Sequence, residues 1–309
     1  MLNPRRLITP KSSKLSKLPR MNNEYVSEKS TEVLKKHIKE LQTFSYKHSR
    51  GNAGDALIYS GMCQLLGKLN CGSAWLGKED PIESKNIVYS GGGALTEYYN
   101  NSSDFIEHNF SKFKTFTLLP STISGHERLL KKLDSRFHIF CRDEVSYSHC
   151  KQLCDKSVSL YRHQDLAFFN KVETYTTFPV FSLPTFSIQK NFEWLKKQKK
   201  VRNFIQKEGT SFLRNDLEAP TQELLVDNLD ISQELGIRQK NHMFAIRISK
   251  AFLASLSFTN IIHTNRLHVS IAGALLGKQT YLYPNSYHKN LSVYKASIEG
   301  RFPNVTFKD

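Results

Sequence analysis

Short apolar runs that stop at glycine, proline or a charged residue, each followed by a segment of helical periodicity, recur between residues 25 and 170. No other feature constrains the fold as much. Asn86–Tyr89 is one strand-like run, breaking at Gly91-Gly92-Gly93; Thr115–Leu119 is a second, stopped by Pro120; Phe137–Cys141 is a third. Helical spacing marks Glu32–Gln42, Ala56–Leu69 and Asp143–Leu153. Strands alternating with helices predict an α/β fold of parallel βαβ units covered on both faces.

From Thr174 to Pro184 the chain turns aromatic and β-prone, which places a domain boundary near residue 172. The organisation expected is a basic arm over 1–24, one domain over 25–172 and a second over 173–309. In the second, Asn191–Lys207 reads as a basic amphipathic helix, Glu208–Ala219 as a loop and Asn241–Ser257 as a helix. Asn260–His263 reads as a strand, Leu267–Leu276 as a helix, and Thr280–Tyr283 as a last strand ending at Pro284.

Composition removes whole classes of protein. With 309 residues, 39% hydrophobic and 11% aromatic, the chain can fill a large core, which excludes general disorder, a collagen-like fibre and a disulfide scaffold. No stretch approaches the roughly 20 apolar residues that a spanning helix needs. Lys and Arg number 44 against 28 acids, a formal charge of +16, so anionic partners are favoured: nucleic acid, acidic headgroups, or small phosphorylated and carboxylated substrates. Part of that excess is local. Arg5, Arg6, Lys11, Lys14, Lys17 and Arg20 lie in an acid-free opening segment that reads as a solvated arm or, alternatively, a transit peptide; the segment shows no secretory apolar region. Among the five cysteines, Cys150 and Cys154 share a helix face, but no second Cys/His pair has zinc spacing, so no metal site is expected. Sequons at Asn100, Asn101, Asn109, Asn290 and Asn304 matter only in a secretory lumen.

Four segments at strand or helix ends carry small or charged residues where more core would be expected, and in open α/β sheets ligands bind at the carboxyl ends of strands. Gly51-Asn52-Ala53-Gly54-Asp55 opens a helix; its free N–H groups favour an anion, while Asp55 is equally well explained as a helix cap. Ser90-Gly91-Gly92-Gly93 follows a strand and either lets backbone approach a ligand or forms a plain turn; its spacing fits neither a Walker loop nor a dinucleotide fingerprint. Arg142-Asp143-Glu144 presents a guanidinium fork suited to phosphate or carboxylate, unless Arg142 pairs with its acidic neighbours. Thr264-Asn265-Arg266-Leu267-His268 puts Arg266 and His268 in a first helical turn, where a bound phosphate would favour the imidazolium that a general acid needs.

In order, GNAGDALIYSG (51–61), YSGGGAL (89–95), LLPSTIS (118–124), CRDEVSY (141–147), NRLHVSIAGALLG (265–277) and Tyr287-His288-Lys289 resemble the motifs of polysaccharide pyruvyl transferases, closest in look to fungal and exopolysaccharide-type members. The resemblance covers roughly residues 45–300. It implies two Rossmann-like domains in a GT-B-like arrangement with an interdomain cleft. It also implies transfer of pyruvyl from phosphoenolpyruvate to a sugar, such as a terminal galactose of a cell-wall glycan, giving a ketal. By the family's pattern Arg142 and Arg266 line the donor site with His268, and Lys289, a looser match, adds a further cation. In that scheme His268 is the proton donor and Asp55 orients or deprotonates an acceptor hydroxyl. Asn52, Gly54, Gly91, Gly92 and Gly93 bring backbone to the ligands, and no metal or cofactor is required. Fungal relatives are anchored in the Golgi; no anchor is visible here, so the compartment stays open, the cytoplasm included. Two other readings remain: a GT-B glycosyltransferase using a nucleotide sugar, for which Asp230 and Glu299 are poor ribose ligands, and a non-catalytic polyanion-binding module. The second would need a basic stripe with interleaved aromatics, which only Phe192, Trp194 and Phe204 of the Asn191–Lys207 helix offer.

Overall fold

The computed structural model describes residues 28–49, 51–67, 73–76, 80–82, 85–183, 187–219, 227–237 and 241–309. The basic arm lies outside them. The first half runs α1 (Glu28–Glu40), β1 (Phe44–Lys47), α2 (Ala53–Leu66), β2 (Ser73–Trp75), β3 (Asn86–Tyr89), β4 (Gly92–Leu95) and α3 (Asn101–Asn109). It continues through β5 (Thr115–Ile123), α4 (Glu127–Leu130), β6 (Phe137–Cys141), α5 (Glu144–Leu153) and β7 (Ser159–Arg162). After a 3₁₀ turn at Leu166–Phe169 come α6 (Ile188–Gln206), α7 (Ile231–Glu234), α8 (His242–Ser257), β8 (Ile261–Thr264), α9 (Leu267–Leu275), β9 (Gln279–Leu282), α10 (Lys289–Val293) and β10 (Val305–Phe307).

The first half forms a seven-stranded sheet in the order β2-β1-β3-β5-β6-β7, with β4 paired to β5; every pairing is parallel. Successive residues of a strand face opposite sides of a sheet. Along β3, Val88 packs into one apolar cluster while Ile87 and Tyr89 pack into another; along β6, Phe140 parts in the same way from Phe137 and Ile139. Both faces are therefore covered, which explains why these strands read as unbroken apolar runs. The second sheet is β10-β9-β8, also parallel. One continuous core, containing α2, Trp194 of α6 and most of α8 and α9, packs against both sheets.

Three expectations about single elements need correction. Thr115–Leu119 does not stop at Pro120 but runs on to Ile123. Its pairing with β6 shifts register between Leu118 and Ser121, so the proline occupies an irregular stretch of the ladder where a missing N–H is tolerated. The triglycine is not all loop: Gly92 and Gly93 begin β4, with Gly92 at φ +117°, a conformation side chains disfavour. And Thr280–Tyr283 is not the last strand, since β10 follows and pairs with β9.

Candidate active site

Because all strands of the large sheet are parallel, their carboxyl ends share one edge, and the first turns of α2, α5 and α9 open beside it. A cavity of about 390 Å³ lies there. Asn52, Asp55, Gly93, Arg142, Arg266, His268 and Lys289 all line it. Gly54, Gly91 and Gly92 are not among the lining residues; Gly54 and Gly91 have a packing reason to be glycine, and Gly92 a backbone one in its positive φ. A Cβ on Gly91 would press on the Pro120 carbonyl, and one on Gly54 would overlap the His268 ring. A Cβ on Gly93, by contrast, would meet only ordinary contacts, the nearest at 3.7 Å from the Tyr287 hydroxyl and 3.8 Å from Arg142 Nη2.

The α2 turn is a capping box. Asn52 Oδ1 accepts from the Gly54 N–H at 2.8 Å, and Asp55 Oδ2 accepts from the Asn52 N–H at 2.9 Å. Capping does not exhaust Asp55. Burial pushes its carboxyl up to about 6, against the pull of His268, Arg142 and Arg266.

Arg142 is almost fully buried and does not pair with its sequence neighbours. Its Nη1 donates to Asp165 Oδ2 at 2.6 Å and its Nε to Thr122 Oγ1 at 2.9 Å. Asp143 instead caps α5, accepting from the Ser146 N–H at 2.8 Å. His268 Nε2 lies 3.4 Å from the same Asp165 oxygen. Burial alone would raise Asp165, but His268 and Arg142 outweigh it and hold the carboxyl well below the usual carboxylate range.

Arg266 is gripped by Asp230, which accepts from Nε at 3.0 Å and from Nη2, and Asp216 Oδ2 lies 2.8 Å from Nη2. Arg214 binds Asp216 through Nε at 2.7 Å and Glu218 through Nη1. Glu218 also accepts from Lys289 Nζ. Burial, with Arg214 and Arg142 nearby, draws the Lys289 ammonium down to about 7 against the attraction of Glu218. Each of these cations thus already has a carboxylate partner inside the protein. Sequence reasoning misses Asp165, Arg214, Asp216 and Glu218 altogether; Thr122 enters it only inside the LLPSTIS motif, and Asp230 only as a poor ribose ligand. The alternation of charge at Arg214, Asp216 and Glu218 within an apparent loop is a signal that could have found those three.

The remaining expectations divide. In the last motif, Lys289 Nζ stands 5.1 Å over the Tyr287 ring, while His288 turns toward Asp143, 3.9 Å away. Trp194 is buried and hydrogen-bonded to the Phe181 carbonyl at 2.7 Å, and Phe204 is half-buried, so α6 offers no aromatic stripe for nucleic acid. Asn290 of its sequon is fully buried, its amide donating to the Asn265 and Tyr283 carbonyls. Among the described residues no group of His, Cys, Asp or Glu is placed to hold a metal ion, and no helix is long and apolar enough to cross a membrane.

Fold and site together define an α/β protein whose parallel strands end at a cavity lined by guanidinium, ammonium and imidazole groups from distant segments. Residues 52–287 match the model of the polysaccharide pyruvyl transferase family, and the chain belongs to it. It is accordingly a transferase, of a family whose acceptors are sugars or glycans. The crystal structure of a functionally uncharacterised protein from Klebsiella pneumoniae subsp. pneumoniae NTUH-K2044 is similar, with TM-score 0.72 and 26% identity over 94% of this chain and 100% of that one. No curated protein matches this sequence.

Proposed function

We propose that the protein transfers the pyruvyl group of phosphoenolpyruvate to two hydroxyls of a sugar, a terminal galactose of a cell-surface glycan being the acceptor, and forms a cyclic ketal. What carries this reading is the convergence of Arg142, Arg266, His268 and Lys289 on one cavity, from segments far apart in the chain. In this reading the two sheets are Rossmann-like units divided near residue 172, and the cavity is the cleft of a GT-B-like arrangement.

The residue types suit the donor. Phosphoenolpyruvate carries a phosphate and a carboxylate, and charge-assisted hydrogen bonds from planar guanidinium forks are the strongest available to hold them. A proton added to the methylene carbon makes a methyl group and leaves oxocarbenium character on its neighbour. One sugar hydroxyl adds there, the phosphate bond breaks, and a second hydroxyl closes the ring. Of the two hydroxyl protons, one restores the proton given to carbon and the other leaves with phosphate. His268 gives the first proton. Asp55, ionised above about pH 6, accepts from an acceptor hydroxyl. The scheme calls on no metal or cofactor.

The test is incubation with phosphoenolpyruvate and a panel of β-galactosides, reading inorganic phosphate and acceptor mass together. Phosphate release matched by a mass gain of one pyruvate less water is the expected result. Phosphate release with unaltered acceptor refutes the transfer, and absence of phosphoenolpyruvate binding by calorimetry refutes the donor.

A further inference from the structure

We propose that Asp165 is the positioning residue of this site: it holds the His268 ring with a proton fixed on Nε2, so that proton exchange falls to Nδ1. This deepens the pyruvyl-transfer reading, but its first test needs no donor.

Asp165 is fully buried at the carboxyl end of β7. Its Oδ1 accepts from the Ala167 N–H at 2.8 Å, capping the 3₁₀ turn that follows. Its Oδ2 accepts from Arg142 Nη1 at 2.6 Å and faces His268 Nε2 at 3.4 Å. Arg142 is fixed in turn by Thr122, whose hydroxyl donates to Asp143 at 2.9 Å. The carboxylate therefore has little freedom to turn away from the ring. It is also the hydrogen-bonding link between the edge of the large sheet and the first turn of α9.

An ionised carboxylate only accepts, so the ring nitrogen facing it carries hydrogen. In a neutral ring that leaves the lone pair on Nδ1. That atom lies against Gly54 in the first turn of α2, close enough that a Cβ on residue 54 would overlap it. The charged groups around the ring are Asp165 from the 3₁₀ turn, Asp55 from α2, Arg142 behind Asp165, and Arg266 immediately before α9. In turnover the imidazolium loses the Nδ1 proton to the substrate and keeps the Nε2 proton, while Asp165 remains ionised throughout. The ring returns to its charged state by taking a proton back at Nδ1.

Histidine ring ¹⁵N spectra of the protein alone read the tautomer directly, with His268→Gln supplying the assignment. The expected neutral form in the wild type is Nε2–H; an Nδ1–H ring overturns the proposal, whatever reaction the protein performs. In Asp165→Asn the tautomer becomes mixed. Its kcat falls roughly 10²–10⁴-fold, the scale of general acid–base catalysis. Asp165→Glu restores part of the rate. A variant that keeps the wild-type tautomer and loses only thermal stability shows a merely structural role and sinks the idea. If Asp165→Asn does not fold, the wild-type spectrum decides.

Discussion

Glu218 Oε2 accepts hydrogen bonds from both Lys289 Nζ and Arg214 Nη1, so a carboxylate of the protein already sits among the cations that an anionic donor would need. Asn285 Nδ2 stands 3.5 Å from the same oxygen. Lys289 is the group that titrates in this arrangement, drawn down to about 7 by burial and by its cationic neighbours. An incoming phosphate or carboxylate favours the ammonium form. Above pH 7 the empty site therefore has part of its Lys289 neutral, and binding carries a proton onto the protein. Calorimetry of phosphoenolpyruvate binding at pH 8, in buffers of different ionisation enthalpy, should show proton uptake and affinity that weakens as pH rises. Proton release would take Lys289 out of the donor site.

Gly54 tests whether the contact between α2 and His268 matters. Glycine inside a helix is about 0.5–1 kcal/mol less favourable than alanine, so Gly54→Ala should help α2 as a helix. A Cβ there overlaps His268 Nδ1, and because the clash is with a side chain the ring can move aside. The expected outcome is a folded protein with wild-type circular dichroism and a kcat reduced by at least an order of magnitude. Unchanged turnover would show that the ring's position over α2 is irrelevant.

Arg266 cannot be probed by simple truncation. Asp230 grips it through two nitrogens, and both side chains are nearly buried. Removing one partner of a buried pair costs about 3–5 kcal/mol because the other charge is stranded. Arg266→Met should thus unfold at markedly lower temperature. Combining it with Asp230→Asn should recover most of that loss while donor binding stays weaker by about 1.5–3 kcal/mol, the range of a charge-assisted hydrogen bond. Thermal melts and calorimetry on the three variants separate the two effects. A double variant with wild-type donor affinity would remove Arg266 from recognition.

What the sequence made legible follows the range of the interactions. β3 and β6 stood out because burial on both faces leaves an unbroken apolar run, and Asn241 and Asp143 were readable as helix starts because capping is local. β7 (Ser159–Arg162) was missed: its residues are only partly buried and end on a charge, so no apolar run marks them. The same holds for the site. Arg142, Arg266 and His268 carry signals in their own neighbourhoods. Asp165 acquires its role only from Arg142 and from His268, 103 residues away, contacts that no local pattern encodes. Glu208–Ala219 read correctly as irregular backbone, but irregular backbone is silent about where its side chains go. There Arg214 is held by Asn265 Oδ1 on its N–H at 2.7 Å, which aims the guanidinium at the cavity.

Asp55 links stability to the pH of catalysis. Burial raises its carboxyl from the usual 3.8 to about 6, so between those values the native state holds a proton that the unfolded chain has already lost. Stability must then fall as pH rises through that window, and above about pH 6 the protein carries the full cost of an ionised, desolvated Asp55. Asp55→Asn removes that cost and keeps an oxygen to accept from the Asn52 N–H, now 2.9 Å from the carboxylate. Its melting temperature should exceed wild type at pH 7–8 and converge with it near pH 4. If Asp55 also accepts the acceptor's hydroxyl proton, kcat of the wild type should rise with pH through about 6, and the variant should lose that limb along with most of its activity. A variant more stable at neutral pH that still turns over with the wild-type acid limb would leave Asp55 as a costly cap and assign the base elsewhere.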